Sequence, residues 1–182
     1  MPVFNVAWRT RRGTAPFEEE VLQVELGGGQ PARMGLVVAY LLPLPSGFSS
    51  RTRFVDSDNL PSGLPDAPNL KASLNVELDP RRLSLSSAAA LGVLHYFRFA
   101  DGAVKPLPAR PGPLAFAAGD AYVALTPGVR RLAGSPALAR FLHLRDDFNA
   151  ETLAEALLAH LVELAKGAAF PEAVTALVVE AR

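Results

Sequence analysis

Three consecutive glutamates, Glu18, Glu19 and Glu20, are the first residues along the sequence whose type and spacing could do chemistry. Carboxylates grouped in this way could bind a cation through their oxygens. They stand at the start of a predicted strand rather than on the surface of a helix. A solvated cluster of charges is nevertheless the default interpretation, and this segment alone leaves both open.

Two aspartates, Asp56 and Asp58 in FVDSDNL, resemble the first ligands of a calcium-binding loop. Leu60 occupies the next ligand position, and no glutamate closes the loop at its twelfth position. An acidic, solvated loop is therefore the better interpretation.

No other catalytic motif is recognisable by its spacing, and a Ser/His/Asp triad brought together by the fold stays open. The glycines at 27–29 lack the spacing of a phosphate-binding loop, and no serine lies in a GxSxG motif. The three histidines, His95, His143 and His160, form no HxxxH pair, so each is interpreted as a packed or surface residue. Without cysteine there is neither a thiolate nucleophile nor a zinc–thiolate site.

Hydrophobic patterning predicts a β-rich region, then helices, then a last strand. The predicted strands cover 3–9, 20–26, 34–42, 72–79, 83–87, 90–99, 103–108, 121–125 and 174–181. Helices are predicted after two N-caps, Ser135, which is followed by Pro136, and Asn149, with Gly167 ending the second helix. Residues 43–70 are rich in Pro, Ser, Gly, Asp and Asn, which predicts one long loop or several short turns.

Length and composition indicate a single globular domain over residues 1–182. Eighteen basic residues balance eighteen acidic ones, which argues against a nucleic-acid or acidic-membrane partner. The N-terminal residues lack the apolar core of a signal peptide, and Pro43 and Pro45 interrupt the longest apolar run. The sequence therefore predicts a soluble, cytoplasmic protein.

Four segments, taken in order, resemble the PPM-type (type 2C) protein phosphatases, including the stage II sporulation E branch. They are RRGTAPFEEEVLQVE with GLVVAY, ALGVLHYFRFADGAVKPLP, LAFAAGDAYVALTPGV, and the C-terminal stretch from NAETLAEALLAHLVELAKG to PEAVTALVVEAR. The resemblance covers most of the chain except about 41–71. It implies an α+β fold in which two packed antiparallel β-sheets form a β-sandwich flanked by helices. In that family two Mg²⁺ or Mn²⁺ ions, held mainly by aspartates, hydrolyse phosphoserine and phosphothreonine through a bridging water.

The resemblance assigns three surviving carboxylates to the family's metal site. Glu19 and Glu20 fall on its Asn-Glu-Asp motif, and Glu172 falls on the first acidic position of its last motif. These three residues are the candidate metal ligands.

The same resemblance shows three family positions that have lost their usual residues. Tyr40 stands in place of the aspartate of Ala-Asp-Gly, Pro127 in place of the aspartate of Ser/Thr-Asp-Gly, and Ala173 follows Glu172 in the last motif. The central aspartates at the first two positions are thus replaced by residues that cannot hold a hard cation in the family's way.

These substitutions predict a catalytically degenerate phosphatase-like protein that acts by protein binding or regulation and needs no cofactor. The alternative is a divergent Mg²⁺- or Mn²⁺-dependent phosphatase whose reduced site uses Glu19, Glu20 and Glu172, joined by Asp56 or Asp58. A third possibility is an α+β domain whose resemblance to the family is accidental. Because 43–70 shows no helical pattern, the family's helix pair on one sheet is expected to be missing. The uncovered sheet face would then bind a protein partner or form a homodimer.

Overall fold

The computed structural model describes residues 4–14, 18–25, 32–40, 70–79, 84–90, 93–108, 113–145 and 149–182. Its strands are β1 (Phe4–Arg11), β2 (Glu18–Glu25), β3 (Ala32–Tyr40), β4 (Leu70–Asp79), β5 (Ser84–Ala90), β6 (Leu94–Arg98), β7 (Val104–Pro106), β8 (Leu114–Ala115), β9 (Ala121–Leu125) and β10 (Val174–Ala181). Its helices are a short 3₁₀-helix (Pro127–Arg131), α1 (Ser135–His143) and α2 (Ala150–Leu164). For β2 to β5 the description covers the backbone and its pairing.

The strands form two antiparallel five-stranded sheets. The first sheet has the order β1-β10-β9-β6-β7, and the second has the order β2-β3-β4-β5-β8. Phe116, just after β8 of the second sheet, packs edge to face on Phe97 of β6 and Phe4 of β1, with ring centroids 5.0 and 5.3 Å apart. The predicted α+β class with two sheets and flanking helices is confirmed.

Both helices cover one face of the first sheet. Leu138 of α1 and Leu153 and Leu157 of α2 belong to a buried apolar cluster with Tyr96 and Val178 of the sheet. Strands β9 and β10 are buried along their whole length, which matches their nearly continuous apolar sequences. The predicted absence of a helix pair concerns residues 43–70, which, apart from Leu70, lie outside the described residues.

The prediction that Ser135 is the N-cap of α1 is wrong. Gly134 occupies the N-cap position, and Ser135 is the first helical residue. The hydroxyl of Ser135 accepts a hydrogen bond from the Tyr96 hydroxyl at 3.0 Å, so the serine fastens the helix to β6 instead of capping it. None of the helices that the structure describes is long and apolar enough to cross a membrane.

Candidate functional site

One end of the first sheet gathers the segments that carry the last two family motifs. Strand β10 pairs with both β1 and β9, with Arg11 opposite Val174 and Leu125 opposite Ala176. The residues that follow β1 and β9 and those that precede β10 therefore lie together.

Thr126 defines where β9 stops. Its N–H donates to the Thr175 carbonyl at 3.1 Å, and its hydroxyl oxygen accepts from the Thr175 N–H at 2.9 Å. The Thr175 hydroxyl is 2.8 Å from that of Thr10 on β1. Pro127 has no N–H to continue the ladder, so the chain turns into the 3₁₀-helix at that residue.

Two glycines allow the three segments to touch backbone to backbone. A Cβ on Gly128 would lie 2.4 Å from the Ala173 carbonyl oxygen, and one on Gly13 would lie 2.2 Å from the Glu172 carbonyl carbon. Real Cβ atoms do not come so close to backbone atoms. A side chain at either position would push the start of β10 away from its neighbours.

Glu172 is a nearly buried carboxylate, with 8% of its surface exposed. Its Oε1 is 3.1 Å from Nε of Arg131, whose side chain is 64% exposed. A charged group with so little access to water is stabilised by a counter-charge, and the guanidinium supplies one. Sequence reasoning missed Arg131, although it lies in the Arg-Arg pair two residues after Pro127-Gly128.

The residues at this end of the first sheet do not fit the metal centre that the fold implies. The side chains of Pro127 and Ala173 carry no oxygen ligand, and Glu172 faces a cationic guanidinium that repels a metal ion. Among the described side chains, no three His, Asp or Glu residues are grouped so that they could hold a metal ion.

The second sheet brings together the other two family positions. In the register of β2 with β3, Glu18 is opposite Tyr40, Glu19 is opposite Ala39 and Glu20 is opposite Val38. The glutamate run and the Tyr40 position are therefore neighbours in the backbone.

The remaining ligand assignments stay predictions. The side chains of Glu19 and Glu20 lie outside the described part of the structure, as do Asp56 and Asp58. Of the three candidate ligands, only Glu172 is placed together with its side-chain partner.

The acidic residue of the Gly119-Asp120 pair stabilises a turn at the opposite end of β9. Gly119 has a φ of +88°, a conformation that glycine adopts without strain. The Asp120 carboxylate accepts hydrogen bonds from the N–H groups of Ala100 and Ala117, at 2.9 and 2.7 Å. This carboxylate lies at the opposite end of β9 from Pro127, and it stabilises the turn through these hydrogen bonds.

The histidines occupy three separate environments. His95 is buried on β6, where its Nδ1 is 3.2 Å from the Tyr122 hydroxyl. Burial lowers the pKa of His95 below its ordinary value near 6.5, so the ring is neutral at pH 7. His143 is exposed on α1, and His160 stacks on Phe141 with ring centroids 4.4 Å apart.

Comparison with known proteins identifies the fold. No protein-family model and no curated protein matches the sequence. The phosphatase domain of SpoIIE, a cell fate determinant from Bacillus subtilis, matches with a TM-score of 0.73 and 11% identity, over 99% of this chain and 92% of that one. RsbX in complex with magnesium matches at 0.61 and 9%, over 98% and 96% of the two chains. PppA, a key regulatory component of T6SS in Pseudomonas aeruginosa, matches at 0.59 and 15%, over the whole of both chains.

Proposed function

We propose that this chain, which has the fold of the PPM-type (PP2C) phosphatases, has lost phosphatase catalysis and acts by binding another protein as a regulator. The observation that carries the proposal is the pairing of Glu172 with Arg131 beside Pro127. A metal-dependent member of the fold needs carboxylates that share two cations. At two of those positions this chain has Pro127, which offers no carboxylate, and Glu172, whose charge is neutralised by Arg131.

Loss of the metals removes the reaction itself, because the nucleophile in a two-metal hydrolysis is a water activated by the cations. Hard cations such as Mg²⁺ and Mn²⁺ need several oxygen ligands around them. Glu172 alone offers two oxygens, and one of them lies 3.1 Å from the Arg131 Nε. No cofactor is therefore needed for the proposed role.

A regulatory role has a precedent among proteins with this fold. PppA, whose fold this chain shares, is described as a key regulatory component of T6SS. The balanced charge of the chain gives no reason to expect a nucleic acid or a membrane as its target.

The outer face of the second sheet is the proposed binding surface. The helices α1 and α2 both pack on the first sheet. The Pro- and Gly-rich composition of 43–70 disfavours a helix pair that would cover the second sheet in the same way. A protein partner or a second copy of the chain would then cover that face.

The test is a titration of the purified protein with Mn²⁺ and Mg²⁺ to millimolar concentration. The melting temperature and the hydrolysis of a generic phosphate ester are followed together. We expect no change in melting temperature and no turnover above the buffer rate, because Glu172 is paired with Arg131 and Pro127 provides no ligand for a cation. Metal-dependent stabilisation together with turnover would refute the proposal.

The alternative function is a divergent Mg²⁺- or Mn²⁺-dependent phosphatase. The register of β2 with β3 supports it, since it sets Glu18 opposite Tyr40 and so brings the glutamate run next to a second family position. The reduced site would use Glu19, Glu20 and Glu172. In that case Glu20→Ala would abolish both the turnover and the metal-induced stabilisation. Asn5→Ala, on β1 of the other sheet, is the control and would leave both unchanged.

A further inference from the structure

Strand β1 forms one edge of the first sheet and is unusually regular for an edge. Its eight residues, FNVAWRTR, pair with β10 without a break from Phe4 opposite Ala181 to Arg11 opposite Val174. The strand contains no proline, lysine or bulge, which are features that protect a sheet edge from pairing with another chain. Its charged residues are Arg9, which is held by Glu151 and Glu155, and Arg11.

The direction of the main-chain groups of β1 follows from the bonds of β10. The N–H of Ala181 donates to Asp120, and the carbonyl of Thr175 accepts from Thr126, so these two residues face β9. Because the direction alternates along a strand, Val178 between them faces β1, where Ala7 is its partner. Four residues of β1 must therefore point their N–H and C=O groups away from the sheet: Phe4, Val6, Trp8 and Thr10.

These outward groups lack main-chain partners in the described part of the chain. The carbonyl of Trp8 accepts a hydrogen bond from the Arg9 guanidinium at 2.9 Å, which agrees with its outward direction. The N–H groups of Val6 and Trp8 and the carbonyl of Val6 make no hydrogen bond there. An extended strand laid along this edge would satisfy all of them.

A groove of about 620 Å³ runs along the same edge. It is lined by Asn5–Arg9 of β1, by Asn149–Glu151 at the start of α2, and by Arg182. The Trp8 side chain is 43% exposed. The edge therefore offers main-chain groups, one exposed tryptophan and open space together.

We propose that a second copy of this chain docks in the groove, with the two β1 strands antiparallel around a two-fold axis at Ala7. This register sets Val6 of each copy opposite Trp8 of the other, and Asn5 opposite Arg9. The small alanines meet at the axis, and each bulky tryptophan meets a smaller valine. The result is a continuous ten-stranded sheet across the dimer.

Exposed side chains of opposite charge at the two ends of the groove favour a second copy as the occupant. Arg182 lies at the Phe4 end, one residue beyond Ala181, where its Nε is 3.3 Å from Oε1 of the buried Glu180 and its side chain is 57% exposed. Glu151 and Glu155 lie near the other end, where they bind Arg9, and both side chains are more than half exposed. The antiparallel arrangement brings Arg182 of each copy toward the glutamates of the other. This interface is separate from the outer face of the second sheet, so the proposed function does not depend on it.

The test begins with sedimentation equilibrium over micromolar concentrations and amide hydrogen exchange of the same protein. We expect a dimer in which the amides of Val6 and Trp8 become protected as the concentration rises. The amides of Ala7 and Arg9 face β10 and should be protected at every concentration. A monomer throughout, or a dimer in which the amides of Val6 and Trp8 exchange freely, would overturn the proposal.

Variants then locate the interface. Val6→Pro removes an outward N–H from each copy and should raise the dimer dissociation constant about tenfold or more, since two intermolecular hydrogen bonds are lost. Trp8→Lys places a lysine on the edge and should also raise the dimer dissociation constant. Phe99→Lys changes another exposed aromatic residue away from β1 and is the matched control, which should leave the dissociation constant unchanged. If both β1 variants dimerise as tightly as the control, the interface is elsewhere and the proposal fails.

Discussion

Glu172, which the phosphatase resemblance assigns to a metal site, is paired with Arg131. The carboxylate keeps the place that the phosphatase resemblance gives it, but its oxygen lies 3.1 Å from a guanidinium nitrogen. Pro127 also shapes this site, because it starts the 3₁₀-helix that follows β9 and carries Arg131. The turn at Pro127, after β9, thereby positions Arg131 as the counter-charge of Glu172, just before β10.

Gly128 tests how tightly this site is packed. We expect Gly128→Ala to destabilise the protein by about 1–3 kcal/mol, because the new Cβ would lie 2.4 Å from the Ala173 carbonyl oxygen. Urea unfolding measures the change. Gly134→Ala is the control, since its Cβ would meet nothing nearer than 3.7 Å, and it should cost less than about 1 kcal/mol. Equal stability of the two variants would show that the backbones are not in contact.

His95 gives the fold a dependence on pH. Burial lowers its folded pKa below the ordinary value near 6.5, so the unfolded chain binds a proton more readily than the folded one. This contribution to stability is fully present above pH 6.5 and is lost as the pH falls below that value toward the folded pKa. We expect urea unfolding to show that loss in the wild type and in His143→Gln, whose histidine is exposed. His95→Gln should lose less stability over the same range, and an unchanged pH dependence would contradict the assignment.

At the scale of single elements, α2 begins with a reciprocal pair of hydrogen bonds. The Asn149 side chain accepts from the Thr152 N–H at 2.9 Å, and the Thr152 hydroxyl accepts from the Asn149 N–H at 3.0 Å. The carboxylate of Glu180 on β10 accepts from the N–H of Ala150 at 3.1 Å. The first turn of the helix is therefore held both by its own cap and by the sheet.

We expect Asn149→Ala to cost about 1 kcal/mol of stability, the usual loss when a capping side chain is removed. Asn149→Asp keeps an acceptor at the same position and should stay within a few tenths of a kcal/mol of the wild type. Thermal unfolding of the three proteins measures the difference. If the alanine and aspartate variants melt together, the cap does not contribute as described.

Sequence patterns predicted the longer elements because each is long enough to show either a hydrophobic period or a continuous apolar run. The strand over 174–181 and the Asn149 cap are both found where they were expected. The two-residue strand β8 and the 3₁₀-helix after Thr126 are too short to show a period, and neither was predicted. The cap of α1 was misassigned because the Ser135 hydroxyl has a partner on a distant strand, Tyr96, which local sequence does not reveal.

At the scale of the whole molecule, four weak motifs in a fixed order predicted the two-sheet fold better than any one of them could. In the first sheet, β pairing brings the segments around Pro127, Glu172 and Ala173 to one end. The part that these residues play in a metal site stays a prediction. The Arg131 ion pair and the open edge of β1 could not be predicted, because both depend on contacts between segments far apart in sequence.

The central claim is that this phosphatase-fold chain has no working two-metal centre. Isothermal titration calorimetry of Mn²⁺ into the wild-type protein tests it most directly. The account predicts no saturable heat at millimolar Mn²⁺, because Glu172 is paired with Arg131 and Pro127 provides no ligand. Saturable binding of two Mn²⁺ ions per chain would contradict it.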